Sequence, residues 1–146
     1  MTTEIEEKKM GRFSVEVELT NSDDLVRVKI GIIPAEKVRR VRIRGVVDSG
    51  ATRLVIPESV AQKLGLEVAE SVKVTYADGR TAERKVARSL QLTYGGRTDV
   101  FSAIIEPGRD SVLVGAVVLE VLDFLVDCVG QRLVPRDPEY IISEVE

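Results

Sequence analysis

Apolar and polar residues alternate in short runs along most of this chain, the period of a strand with one buried face. Phe13-Ser14-Val15-Glu16-Val17-Glu18-Leu19 is the first such run. Asn21-Ser22-Asp23-Asp24 follows with turn chemistry, and Leu25, Val26, Val28 and Ile30 resume the β-branched pattern, so residues 13–30 predict a hairpin. Residues 38–47, rich in Val, Ile and Arg, predict a third strand that delivers the chain into Asp48. The period then changes. Pro57-Glu58-Ser59-Val60-Ala61-Gln62-Lys63-Leu64-Gly65 predicts a short helix, with Pro at its start, Val60, Ala61 and Leu64 on one face, and Gly65 suited to a left-handed C-cap.

Strands return after it. Residues 72–76 and 81–90 flank Ala77-Asp78-Gly79-Arg80, where Asp-Gly predicts a type I′ hairpin turn. Residues 91–94 and 98–105 flank Gly95-Gly96 as a further hairpin. Residues 112–115 predict a short strand, 116–122 a helical turn or two, and 125–127 a pairing with 132–134 across Gly130-Gln131. Pro135 and Pro138 then interrupt any continuing strand, leaving Tyr140-Ile141-Ile142 as an edge strand or part of a tail. Many short strands with one or two short helices predict a mainly β domain. The organisation expected is a flexible N-terminal tail over residues 1–11, a single domain over 12–136, and a C-terminal tail or edge strand over 137–146.

Composition narrows the chemistry. At 146 residues the chain fits one domain, and 44% hydrophobic with 31% charged residues at net charge −3 gives no global bias toward nucleic acid or membrane. There is no His, which excludes Ser-His-Asp and Cys-His nucleophile systems and His-bearing zinc sites. Cys128 is the single cysteine, so no intrachain disulfide or Cys-rich metal site can form. Within Leu125-Val126-Asp127-Cys128-Val129 it is expected to be a small buried hydrophobe. Carboxylate, lysine, hydroxyl or a bound cofactor remain for catalysis. The N-terminal residues carry no apolar signal region, and the longest uncharged run, residues 111–119, is too short to span a bilayer, so a cytoplasmic location and no membrane partner are expected. Lys37, Arg39, Arg40, Arg42 and Arg44 form a basic run, but the last three alternate with Val41 and Ile43 as on a solvated strand face, with no aromatic for base stacking. No nucleic-acid partner is expected.

The chemistry concentrates in Val46-Val47-Asp48-Ser49-Gly50-Ala51-Thr52, a polar turn closing an apolar strand. A carboxylate placed there without a neighbouring Lys or Arg in sequence is costly unless it has a function. Gly45 to Thr52 also matches the two glycines and final Thr of a phosphate-binding loop, yet Ala51 stands where its Lys must be, and Asp48 would repel phosphate. The Asp-Ser-Gly-Ala turn, the Leu54-Val55-Ile56-Pro57 run with its helix, the Asp78-Gly79 hairpin and Val112-Leu113-Val114-Gly115 come in the order of a retropepsin-like aspartic protease lobe, which residues 41–135 resemble.

That resemblance implies a closed or orthogonal β-barrel lobe acting as an aspartic endopeptidase on polypeptide substrates, with no metal and no cofactor. Asp48 corresponds to the catalytic residue, Ser49, Gly50, Ala51 and Gly115 to its supporting loops, and Tyr76, Asp78, Gly79 and Arg80 to a flap over substrate. Viral members usually carry an acidic residue at the position of Thr52 and an Arg at that of Ala116; both are absent here. With one Asp-Ser-Gly in a chain too short for two lobes, two copies must meet as a homodimer. Their Asp48 carboxyls would then share one proton, one activating water and the other protonating the peptide carbonyl. A catalytically inactive dimer that binds extended peptides by strand addition is the alternative.

Overall fold

A computed structural model describes residues 12–141 and 145. The N-terminal tail expected over 1–11, and Ile142 of the possible edge strand, lie outside the described residues.

Among the described residues nine strands and three short α-helices follow in the order β1 (Arg12–Asn21), α1 (Ser22–Lys29), β2 (Arg40–Asp48), β3 (Val55–Pro57), α2 (Glu58–Leu64), β4 (Val68–Thr75), β5 (Thr81–Tyr94), β6 (Arg97–Glu106), β7 (Val112–Val114), α3 (Ala116–Leu122), β8 (Phe124–Asp127) and β9 (Arg132–Pro135). Six strands hydrogen-bond in the cyclic order β1-β2-β7-β3-β6-β5, and β5 returns to β1 to close a barrel; β4 attaches outside the ring, on β5. A separate ribbon joins β8 to β9. The mainly β domain expected from the alternation is therefore present, and so is the closed barrel that the resemblance implies.

Charge pairing supports the register at the barrel's start. β1 and β2 run antiparallel with Glu16 opposite Arg44 and Glu18 opposite Arg42. Arg40 and Arg42 reach Glu18 at 3.6 and 3.5 Å, so acids on one strand offset the basic stripe on the next. The inward residues Val17, Leu19 and Val47 join Leu54, Ile56, Leu64, Leu90, Leu92, Val112 and Leu122 in a largely aliphatic core. In β5 the pairing register shifts between Ala87 and Leu90, where Ser89 takes a left-handed φ of 59°. That bulge lets one 14-residue strand serve two roles. Its first half carries β4 as a projecting hairpin, and its second half pairs with β1 to close the barrel.

Three local expectations require correction. Residues 25–30 do not return as a strand: Ser22–Lys29 is a helix, and β1 pairs with β2 and β5. The Asn21 side chain caps that helix by accepting from the Asp24 N–H at 3.0 Å, with Asp23 and Asp24 in the first turn and Arg27 and Lys29 in the last. The helix buries a carboxylate rather than an apolar stripe. Asp24 is buried beneath Arg39 and Arg27, while Val26 and Ile30 stay exposed, so alternation was misleading about the period.

The turn at Asp78-Gly79 is not type I′, because only Gly79 has positive φ, at 87°. Tyr76 N–H donates to the Arg80 carbonyl and Gly79 N–H to the Tyr76 carbonyl, a three-residue loop with a glycine bulge. The two-residue turn with both φ positive lies instead at Gly95-Gly96. Finally, Cys128 is exposed. It occupies the β8–β9 turn, beyond the barrel core, where Val129 is exposed too.

Candidate active site

Asp48 is the last residue of β2, and its position follows from the strands on either side. β2 runs parallel to β7 with Val46 opposite Leu113 and Val47 opposite Val114, which places the Asp48 turn beside Gly115. The Asp-Ser-Gly-Ala segment and the later Val-Leu-Val-Gly segment, distant in sequence, are thus neighbours. Gly115 is required for contact rather than for φ: a methyl group there would lie 2.5 Å from the Arg53 carbonyl oxygen and 2.8 Å from that of Ala51. The first two N–H groups of α3 complete the join, Ala116 donating to the Ala51 carbonyl at 2.8 Å and Val117 to the Thr52 carbonyl at 3.0 Å. With neutral side chains at Thr52 and Ala116, backbone bonds tie the loop to the helix.

Within the turn, Gly50 N–H donates to Asp48 Oδ1 at 3.0 Å and Ala51 N–H to the Asp48 carbonyl at 3.1 Å. These bonds hold the carboxyl in place. Its other oxygen, Oδ2, lies 2.9 Å from the Arg12 guanidinium. Asp48 has no cationic neighbour in sequence, but the fold supplies one: β1 lies antiparallel to β2 with Arg12 directly opposite Asp48, a pairing no local motif announces. The Asp48 side chain is 15% exposed and that of Arg12 59% exposed. Ser49 and Gly50 are exposed at the surface of the turn.

A groove of about 550 Å³ opens beside the turn. Gly50, Ala51, Thr52 and Arg53 form one wall, Val72 to Thr75 of β4 and the adjoining Tyr76 the other, and Val55, Ile104 and Leu113 lie between them. Tyr76 is in this lining; Asp78, Gly79 and Arg80 lie in the hairpin tip, outside it. The tip is internally bonded, since Asp78 accepts from the Arg80 backbone and guanidinium, which holds its carboxyl below the ordinary range. Arg80 also stacks 4.7 Å from the Tyr76 ring centroid.

Reasoning from sequence passed over Glu106. The Tyr76 hydroxyl lies 2.8 Å from both Glu106 carboxylate oxygens, and Arg84 Nε donates to the same group at 3.1 Å. Burial, then the bond to Glu106, raises the Tyr76 phenol above its ordinary value. This triad fastens β4 across the groove to the end of β6. Arg53, Lys73 and Arg109 also line the groove and were likewise missed. The available signal was position: Arg53 follows the Asp48 turn by a few residues, and Glu106-Pro107-Gly108-Arg109 is turn chemistry ending an apolar strand.

Among the described residues no group of three or more His, Cys, Asp or Glu side chains is arranged to hold a metal ion. No described helix is long and apolar enough to cross a membrane.

Comparison with curated proteins finds no match. Among solved structures the chain is similar to the solution structure of Simian Foamy Virus (mac) protease, at 17% identity over 73% of this chain and 91% of that one, with a TM-score of 0.47. The family of aspartyl proteases matches residues 27–118. That span, more than half of the chain, includes the Asp48 turn, both walls of the groove down to Arg109, and Gly115 at the mouth of α3. This chain belongs to the aspartyl protease family.

Proposed function

We propose that two copies of this chain assemble as a homodimeric aspartic endopeptidase, with Asp48 of each subunit at the two-fold axis and a polypeptide substrate bound beneath the β4–β5 flap. The observation that carries this reading is the framed carboxyl of Asp48, held by Gly50 N–H at the mouth of a groove, in a chain with one such turn. An isologous interface brings each Asp48 to its own mate.

Two carboxyls within hydrogen-bond reach cannot both ionise readily, so the pair holds one proton between them. The charged member takes a proton from a water molecule as that water attacks the peptide carbonyl carbon, and the protonated member donates to the carbonyl oxygen. Ser49, exposed beside the axis, is placed to bond across it. Gly50 lacks a side chain that would separate the two turns. Groove residues from Val72 to Tyr76 would present an extended backbone to substrate. Tyr76 is the flap residue in direct reach, with Asp78, Gly79 and Arg80 shaping the tip.

An unstructured polypeptide incubated with the purified protein tests the proposal. Cleavage that is abolished by Asp48→Asn and by a statine-type inhibitor, together with a dimer in sedimentation, is the expected result. Binding of peptide without turnover, equal in wild type and Asp48→Asn, would replace it with the inactive peptide-binding dimer; the free outer edge of β4 at the end of the sheet order is the feature that favours this second reading.

A further inference from the structure

The groove carries an uncompensated positive charge. Every arginine of the chain forms an ion pair with a carboxylate of the described residues except Arg53 and Arg109. Both of these line the groove. Arg53 makes one long side-chain contact, to the Ser102 hydroxyl at 3.4 Å. Arg109 donates to the Ser111 carbonyl at 2.7 Å and reaches the Ser111 hydroxyl at 3.4 Å, both neutral acceptors. Burial, and then repulsion from Arg12, pushes the Arg109 guanidinium below its ordinary value, with attraction from Asp110 and Glu106 opposing but not reversing the shift.

Among the described residues no anion within the groove is free to balance them. Glu106 is the one carboxylate of the described residues in the lining, and Tyr76 and Arg84 already engage both of its oxygens. Lys73 adds a third cation on the β4 wall. An apolar floor with unpaired guanidinium groups above it is suited to a chain that brings its own carboxylate.

We propose that this groove selects polypeptide segments with an Asp or Glu side chain close to the scissile bond, the carboxylate seated on Arg53 and Arg109. The inference rests on the endopeptidase reading for its scissile bond. A guanidinium binds a carboxylate through two parallel N–H bonds, and a half-buried guanidinium has less solvation to lose when it does so. A cationic cleft also concentrates acidic chains and disfavours basic ones. In a two-fold dimer each subunit contributes one such pair, so an acidic side chain is favoured on either side of the cleaved bond.

The test uses unstructured fluorogenic peptides in which each position near the cleaved bond carries Glu or, in a matched twin, Gln. Wild type should cleave the best acidic peptide with kcat/KM about five- to tenfold above its amide twin, a preference that shrinks as salt is raised. Arg53→Gln and Arg109→Gln should each lower that ratio, and the double variant should bring it to about 1. Arg53→Gln guards against local disturbance, because Arg53 holds no backbone group. Cleavage without acid preference, or a preference intact in the double variant, overturns the inference and leaves the protease reading standing. The same peptide pairs are titrated by fluorescence anisotropy against Asp48→Asn. Acid-preferring binding there, with no cleavage by wild type, overturns the protease reading and supports the charge selection. Failure of Asp48→Asn to bind either twin, with no cleavage by wild type, overturns both.

Discussion

Replacing Gly115 by Ala tests whether the Asp48 turn is built as rigidly as its contacts imply. The added methyl would lie 2.5 Å from the Arg53 carbonyl oxygen, 2.8 Å from the Ala51 carbonyl oxygen and 2.8 Å from the Thr52 carbonyl carbon. All three are backbone atoms, so no side chain can rotate away. Ordinary contact needs roughly 3.5 Å, so the turn and the start of α3 must separate by nearly the whole shortfall. Such overpacking costs about 1–3 kcal/mol. The separation also weakens the bonds from Ala116 and Val117 N–H to the Ala51 and Thr52 carbonyls, each contributing about 1 kcal/mol. The expected loss is therefore about 2–4 kcal/mol, read as a lower urea midpoint at unchanged m-value.

A matched control separates sterics from backbone conformation. Gly31 has φ of +80° with nothing within 4 Å of an added methyl, so Gly31→Ala should cost about 1–2 kcal/mol through left-handed strain alone. Gly115 has φ of −90°, where alanine is unstrained. Under the proposed mechanism, peptidase activity of folded Gly115→Ala should fall by about a hundredfold, since a shift near 1 Å misplaces the reacting groups. A Gly115→Ala protein as stable as wild type within about 0.5 kcal/mol would refute the packing argument.

Two further outcomes follow from the ion pairs. Asp24 has its carboxyl held far below the ordinary range, chiefly by the Arg39 side-chain bond, with burial opposing; its stabilisation is thus complete above the unfolded value near 4 and is lost as pH falls below it. Asp24→Asn should cost about 2–3 kcal/mol at pH 7, and the gap from wild type in urea midpoints should narrow steadily below about pH 4; a gap independent of pH would refute the assignment. Arg12→Gln should change stability by less than about 1 kcal/mol, because its pair with Asp48 is exposed on the arginine side, and high salt should shrink the effect further; a loss above about 2 kcal/mol in chemical denaturation would show that Arg12 is an anchor.

How far the sequence was legible depended on whether a feature was carried by period or by partners. The longer barrel strands, the Val60-Ala61-Leu64 face of α2 and the Gly65 cap are periodic or local signals and appear where expected, whereas the three-residue β3 is too short to show a period and was not expected as a strand. The resemblance singled out Val112 to Gly115, but its parallel pairing with β2 is seen only in the structure, because nothing local pairs Val47 with Val114. Helix α1 was misread because its alternating Leu25, Val26, Val28 and Ile30 mimic a strand, while its real determinants are the Asn21 cap and a buried carboxylate contacted by Arg39, 15 positions away. Cys128 was misplaced because an apolar run says nothing of whether its ribbon reaches the core. Glu106 and Arg109 escaped notice for a similar reason: a turn sequence does not reveal that its flanking side chains line a groove.

A comparison of two engaged carboxylates, Asp24 and Asp48, shows how stability and availability are separated in this chain. Asp24 is 3% exposed and accepts from two arginines and a backbone N–H, so moving it would strip a charge of every partner inside the fold. It joins α1 to the segment entering β2, well outside the groove lining. Asp48 is 15% exposed, and its Oδ2 is met by a single guanidinium that is itself 59% exposed. Water can replace that guanidinium at small cost, and so can another carboxyl that carries a proton. The bond that fixes the orientation of Asp48 is the one from Gly50 N–H to Oδ1, which belongs to the turn and remains when Arg12 swings away. Positional rigidity thus comes from backbone that cannot leave, and the weakly held partner sits on the oxygen where chemistry would need room.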